Sequence, residues 1–217
     1  MPGNIDHRIL AKASALLQEG GTLALPTDTS WSVVCSMNSR EGIKKLKALS
    51  KEKNERLFTL LCSDISQFGE FCSLDNTRFR LIKRLTPGPY VFILKTLLGT
   101  EKALGLRRRE VGVRLPDYPV PLALIDFLGC PLYGITAKRT MSHNNEYFDD
   151  DPEDEEGFSA FYREETLFDG GWELEDIQGL DLVLDPGEER SRIFSTVLDL
   201  GNPEVEVLRQ GAGPWPV

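Results

Sequence analysis

The chain has 217 residues, 41% hydrophobic and 27% charged, with a formal net charge of −9. That length fits one large domain or two small ones and buries a sizeable core without disulfide or metal staples. No stretch approaches the roughly 20 apolar residues of a membrane span, and Met1 to Arg8 lack the apolar core of a secretion signal, so no membrane partner is expected.

Residues 6–18 place Ile9, Leu10, Ala13, Leu16 and Leu17 on one helical face, and Gly20-Gly21 supplies the stop. The apolar segments Thr22 to Leu25 and Trp31 to Cys35 read as strands joined by Pro26-Thr27-Asp28-Thr29. Proline interrupts a regular ladder there, and the Thr and Asp side chains bond either the loop backbone or a ligand. Ser39 caps a helix with Ile43, Leu46 and Leu49 inward. The polar run Ser50 to Arg56 reads as a loop, and Leu57 to Cys62 as a strand covered on both faces.

A short helix is expected near Ser63, and another from about Asn76 to Arg84 with Phe79, Leu81 and Ile82 inward. Thr86-Pro87-Gly88-Pro89 is a turn. Tyr90 to Leu94, Val111 to Leu115 and Pro131 to Thr136 read as strands, and Pro119 opens a helix to Phe127. Leu182 to Leu184, Ser195 to Leu200 and Val205 to Arg209 complete the strands. Such mixing of strands and helices indicates an α/β or α+β domain with a largely covered sheet.

The net charge conceals an asymmetry. Residues 143–176 hold 14 acidic side chains and one basic one, Arg163, a balance of −13, so the remainder carries +4. A mildly basic body suits an anionic ligand such as a nucleotide, although most of these cations also fit a solvated surface. Glu146 to Glu156 repels itself and reads as a surface loop. The aromatics Phe158, Phe161, Tyr162 and Phe168 imply that the second half of the insertion docks.

Standard motifs are missing. The sequence has no Walker A loop and no G-x-G-x-x-G, and its two histidines, His7 and His143, argue against a serine–histidine triad or a histidine-based zinc site. Cys35, Cys62, Cys72 and Cys130 are scattered without C-x-x-C spacing, as expected of buried free thiols in a reducing cytoplasm.

An ordered set of short motifs is more specific. Gly20-Gly21, Pro26 to Thr29, Thr86-Pro87-Gly88-Pro89 with Tyr90 to Leu94, Val113-Arg114-Leu115-Pro116, Ser195 to Asp199 and Leu208-Arg209-Gln210-Gly211 resemble the YrdC/YciO family in order and spacing. Asn76 to Lys83 and Phe58 to Cys62 look like its YciO branch. The resemblance implies a single domain over 1–217 with an acidic insertion at 142–176. Its α/β fold would be a YrdC-like twisted, open mixed sheet, with helices on its faces and a concave cationic cavity.

The resemblance also implies chemistry. Threonylcarbamoyl-AMP synthases of this family join L-threonine, bicarbonate and ATP, with Mg²⁺, and release pyrophosphate, for the tRNA modification t6A. Thr27 and Thr29 match hydroxyls beside the threonine substrate, and Arg114 matches the arginine that holds its carboxylate, a bidentate fit for guanidinium. The alternative for Arg114 is a surface ion pair. Ser195 and Arg209 match nucleotide-binding positions, and Arg209 is equally readable as a strand-edge charge. The proline-glycine turn is structural.

The chain departs from the synthases at three places. Their Lys-x-Arg pair is here Leu49-Ser50-Lys51, which leaves Lys51, with Lys53 or Arg56, to meet the phosphates. Their Ser-x-Asn is here Thr136-Ala137-Lys138, which keeps a hydroxyl and exchanges an amide for a cation. A typical histidine near the 57–62 strand is absent. Loss of one oriented cation costs about 3 kcal/mol, or roughly a hundredfold in rate. Two expectations follow. One is a synthase with Lys51, Thr136 and Lys138 as catalytic groups and Lys51, Arg56, Thr136, Lys138, Ser195 and Arg209 on the nucleotide. The other is a catalytically weak nucleotide- or double-stranded-RNA-binding protein, with RNA or tRNA-modification proteins as partners.

Overall fold

Near-continuous apolar runs bounded by turn residues produce strands buried on both faces, such as Leu23–Pro26, Trp31–Ser36 and Tyr90–Lys95, and the 3.6-residue apolar stripes produce the helices that cover them. The computed structural model describes residues 5–50, 58–142 and 164–216. Helix α1 (His7–Gln18) starts where the Asp6 side chain accepts from the Arg8 N–H, and Gly20, at φ +90°, ends it. Strands β1 (Leu23–Pro26) and β2 (Trp31–Ser36) form the first hairpin, and α2 (Arg40–Ser50) follows. The Ser39 hydroxyl caps α2 by accepting from the Gly42 N–H at 3.1 Å.

The chain continues through β3 (Thr59–Leu61), α3 (Ser66–Phe71), α4 (Asn76–Leu85), β4 (Tyr90–Lys95), α5 (Thr100–Leu104) and β5 (Glu110–Arg114). Helix α6 (Pro119–Leu128), β6 (Leu132–Thr136), β7 (Leu182–Val183), β8 (Thr196–Asp199) and β9 (Glu206–Arg209) complete it. Among the described residues nine strands build one open, twisted mixed sheet in the order β7-β1-β2-β6-β3-β5-β4-β8-β9. The β1/β7, β3/β5 and β4/β8 pairs are parallel and the rest antiparallel.

Two apolar layers sandwich the sheet. On one face α1 and α6 bring Leu10, Leu17, Leu124 and Ile125 onto Leu25 and Val34. On the other, Leu46 of α2 and Ile82 of α4 join Trp31, Phe58, Phe92 and Tyr133. Strand β3 contributes Leu60 to one layer and Leu61 to the other, so it is covered on both sides as its continuous apolar run predicts. Phe168 is buried in the larger layer, as the docking of the insertion's second half requires, whereas His143, Phe158, Phe161 and Tyr162 lie outside the described residues.

Several boundaries differ from the sequence reading. Ile9 belongs to the apolar stripe of α1 yet is 48% exposed, because Leu10, Ala13 and Leu17 form the contact line and Ile9 falls beside it. The helix expected near Ser63 begins at Ser66, and the 57–62 strand is shortened to Thr59–Leu61. All four cysteines are free and buried. Among the described residues no helix is long and apolar enough to cross a membrane.

Candidate functional site

Strand register places several of the marked residues on one face. Ser32 pairs with Thr136, Gly134 with Thr59, Thr59 with Gly112, and Leu61 with Arg114. Side chains alternate along a strand, so Ser32, Thr136, Thr59, Gly112 and Arg114 share a side. The glycines here are packing requirements. A Cβ on Gly134 would lie 2.6 Å from Cγ1 of Val34, and one on Gly112 would lie 3.0 Å from Oγ1 of Thr59. Ser32, Thr59 and Thr136 are small, and the space above the two glycines is filled by Val34 over Gly134 and by Thr59 and Val91 over Gly112.

Arg114 is the long side chain of this set. It is only 5% exposed and ends on the β1–β2 turn. Its Nη2 donates to Oδ1 of Asp28, in a direct ion pair, and to Oγ1 of Thr29 at 3.1 Å. Its Nη1 reaches Oγ of Ser195 at 3.4 Å. Burial pulls the guanidinium below its ordinary value, and the Asp28 charge opposes that pull. The ion pair foreseen as a surface alternative is thus present, but buried and inside the motif set.

The turn that receives Arg114 is held by Thr27, which is fully buried. Its hydroxyl donates to the Ser30 carbonyl at 2.7 Å and accepts from the Thr29 and Ser30 N–H groups at 3.2 and 3.3 Å. That hydroxyl is occupied by the turn, so Thr27 shapes the site and Thr29 presents its hydroxyl to the guanidinium. The Thr86 to Pro89 turn has a comparable task. The Gly88 N–H donates to the Leu115 carbonyl at 3.0 Å, and the Pro89 carbonyl accepts from the Thr196 N–H at 2.9 Å. This turn fastens the end of β5 to the start of β8, which brings Arg114 and Ser195 together.

Arg209, on the edge strand β9, donates from Nε to the Ser195 carbonyl at 2.8 Å and lies 4.8 Å over the Phe194 ring. Gly211 makes this join possible, because a Cβ there would come within 2.2 Å of the Phe194 carbonyl oxygen. Thr136 and Lys138 lie on and just beyond β6, separated from β5 by β3. Lys138 is 7% exposed and extended, and the Ala137 N–H continues the ladder to the Trp31 carbonyl, so alternation puts Lys138 on the same side as Thr136. Lys51 and Arg56 lie outside the described residues.

The structure thus joins Thr29, Arg114 and Ser195 directly, attaches Thr27 through its hydroxyl to that of Thr29 at 3.2 Å and Arg209 through the Ser195 carbonyl, and sets Thr136 and Lys138 across the same face. Sequence reasoning expected Asp28 to bond the loop backbone or a ligand and did not foresee it as the partner of Arg114. Its signal was available, since it is the one charged residue in the Pro26 to Thr29 run. Also unforeseen is the network beside the turn. Arg139 binds Glu173 at 2.7 Å, Arg192 binds Asp169 at 3.0 Å, and the Asp169 carbonyl accepts from Trp31 Nε1 at 3.4 Å. Burial alone would raise Glu173, but bonds from the Asp169 N–H and Arg139 hold it below the ordinary carboxylate range. Among the described residues no group of three or more His, Cys, Asp or Glu side chains is placed to hold a metal ion.

Comparison with known proteins identifies the family and the fold. The family profile for Sua5, YciO and YrdC proteins, described as "Telomere recombination", covers residues 15–150. YciO of Escherichia coli K12 is 28% identical over 215 residues, spanning 98% of this chain and 93% of its own. The E. coli YciO crystal structure superposes with a TM-score of 0.77 over 99% of this chain and 95% of that one. The threonylcarbamoyl-AMP synthase of E. coli O9:H4 is 26% identical over 142 residues, 63% of this chain and 74% of the synthase. P. abyssi Sua5, in a crystal structure with L-threonine, shares the fold at 20% identity, with a TM-score of 0.76 over 97% of this chain and 56% of that one. The chain belongs to the Sua5/YciO/YrdC family.

Proposed function

We propose that the protein is a threonylcarbamoyl-AMP synthase-like enzyme, which converts L-threonine, bicarbonate and ATP to threonylcarbamoyl-AMP and pyrophosphate for t6A modification in the cytoplasm. The observation that carries this reading is the contact of Arg114 with Thr29 and Ser195, three motif residues from distant parts of the chain. The synthase of E. coli O9:H4 is a relative of the chain, and P. abyssi Sua5, of the same fold, was crystallised with L-threonine.

The amine of threonine and bicarbonate give a carbamate with loss of water. A carbamate oxygen then forms a bond to the α-phosphorus of ATP, the bond from that phosphorus to the bridging oxygen breaks, and pyrophosphate leaves. Little covalent work falls to the protein, and positioning and charge stabilisation dominate. Arg114 holds the amino-acid carboxylate, with Thr29 beside it. Ser195 and Arg209 face the nucleotide. Lys138 supplies a point charge and Thr136 a hydroxyl to the phosphates, with Lys51 and Arg56 assigned to the same task. Mg²⁺, which would come with ATP rather than from protein ligands, would supply part of the stabilisation of phosphate charge to which Lys138 and Thr136 contribute from the protein side.

The test is pyrophosphate release by the purified chain with each substrate omitted in turn. Release that needs ATP, L-threonine and bicarbonate together is expected. Release indifferent to threonine, or none, overturns the proposal.

A further inference from the structure

A cavity of about 640 Å³ opens at the far end of β4 and β5, lined by Ser73, Lys95, Thr96, Arg108, Arg109 and Glu110. Lys95 and Glu110 face each other across the β4/β5 ladder, at the opposite ends of their strands from Tyr90 and Arg114. Glu110 is four residues from Arg114, about 13 Å along a strand. None of the six lining residues belongs to the set assigned above to threonine or to the nucleotide.

Backbone bonds fix the walls of this cavity. The Thr96 N–H donates to the Arg109 carbonyl at 3.0 Å, and the Ser73 N–H donates to the Lys95 carbonyl at 2.8 Å. The Lys95, Arg108 and Arg109 side chains are exposed, and the same β4–β5 connection carries the exposed Lys102 and Arg107. The Thr96 hydroxyl donates to Glu101 at 3.3 Å, which keeps that carboxylate beside the cavity and out of its lining. The lining therefore sets three cations against one carboxylate.

That composition selects a ligand. Cations gathered in one hollow repel each other, and a compact polyanion relieves the repulsion. Guanidinium takes phosphate oxygens in pairs, and an ammonium adds a point charge. A lone carboxylate would answer only one of the three cations. A nucleic-acid strand spreads its charges along a groove, whereas here they meet in a single cavity of small-molecule size. The chain's net charge of −9 also works against a long polyanion.

We propose that this cavity is a second anion site, separate from the Arg114 site, and that it binds the di- or triphosphate group of a small molecule of the nucleotide class. Arg108 and Arg109 grip the phosphate oxygens and Lys95 adds its charge. Glu110 repels anions from its own side and directs the phosphates toward the two arginines. The site does not depend on the threonine reading, so the two stand or fall separately.

The experiment is calorimetric titration of the full chain with tripolyphosphate. Arg108→Ala with Arg109→Ala is expected to lose tenfold or more in affinity for one bound tripolyphosphate, and Lys138→Ala to retain that binding. Glu110→Gln, which removes the one carboxylate of the lining, is expected to bind at least threefold more tightly than wild type, a gain that a misfolded variant cannot give. A wild type that binds no tripolyphosphate, a double variant that binds like wild type, or a Glu110→Gln chain that binds no better overturns the site. Loss of the same binding in Lys138→Ala overturns its separateness. A short single-stranded RNA that outbinds tripolyphosphate, and does so only while Arg108 and Arg109 are present, overturns the small-molecule assignment.

Discussion

Replacing Arg114 by methionine should destabilise the protein more than any loss of hydrophobic contact at that position would. The Arg114 and Asp28 side chains are 6% and 12% exposed, so water does little to screen them. Methionine keeps most of the aliphatic stem but removes the hydrogen bonds to Asp28, Thr29 and Ser195. Asp28 is then left as a buried charge without its counter-ion. Breaking a buried pair from one side costs about 3–5 kcal/mol. For a chain of this size that is a drop of roughly 6–20 °C in Tm. Removing both charges, in Asp28→Asn with Arg114→Met, should restore more than half of the loss, because no uncompensated charge remains. Urea unfolding followed by tryptophan fluorescence, to which the fully buried Trp31 next to the turn contributes, reads both variants, and an unchanged m-value confirms that stability alone moved. A cost below about 1 kcal/mol for Arg114→Met, or a double variant as unstable as the single one, would refute the buried-pair reasoning.

Three further outcomes follow from the same structure. Thr27→Val should cost about 1–3 kcal/mol in urea unfolding, since the Ser30 carbonyl and the Thr29 and Ser30 N–H groups lose their shared partner; a neutral result would show that the turn does not depend on that hydroxyl. Gly69→Ala in α3 should stabilise by roughly 0.5–1 kcal/mol, because a Cβ there meets nothing within 4 Å. Gly211→Ala should destabilise, because its Cβ would strike the Phe194 carbonyl, and a melting series that ranks the two glycine variants in the opposite order contradicts the packing. Burial pushes Cys35 and Cys72 up to about 12, with Cys130 adding to the rise at Cys35. Their folded values exceed the ordinary 9.0, so this contribution is complete below pH 9.0 and is lost as pH rises towards about 12. Urea midpoints should fall from about pH 9 upward, and native thiols should resist disulfide reagents at about pH 8; rapid native labelling of all four would contradict their burial.

Strands with long apolar runs were readable in sequence. Tyr90 to Leu94 and Val111 to Arg114 lie where β-branched and aromatic residues cluster between turn residues. Helix α5 was not, because five residues between two left-handed glycines, Gly99 and Gly105, are too few to show a period. Ile9 misled because periodicity finds a stripe but not its centre. The site divides in the same way. Thr29, Arg114 and Ser195 were marked by motif, yet the Asp28–Arg114 pair spans 86 residues, and nothing local in the chain couples them. Only the non-sequential order of the strands brings these residues together, and that order is set by burial of both sheet faces at once.

Strand β3 spans only Thr59–Leu61, and in the sheet it alone pairs with both β6 and β5. Asp28 belongs to the β7-β1-β2-β6 wing, and Arg114 and Ser195 to the β5-β4-β8-β9 wing. Their contact is therefore a clasp thrown across a narrow joint. Whatever loosens the carboxylate–guanidinium contact acts on both wings of the sheet at once.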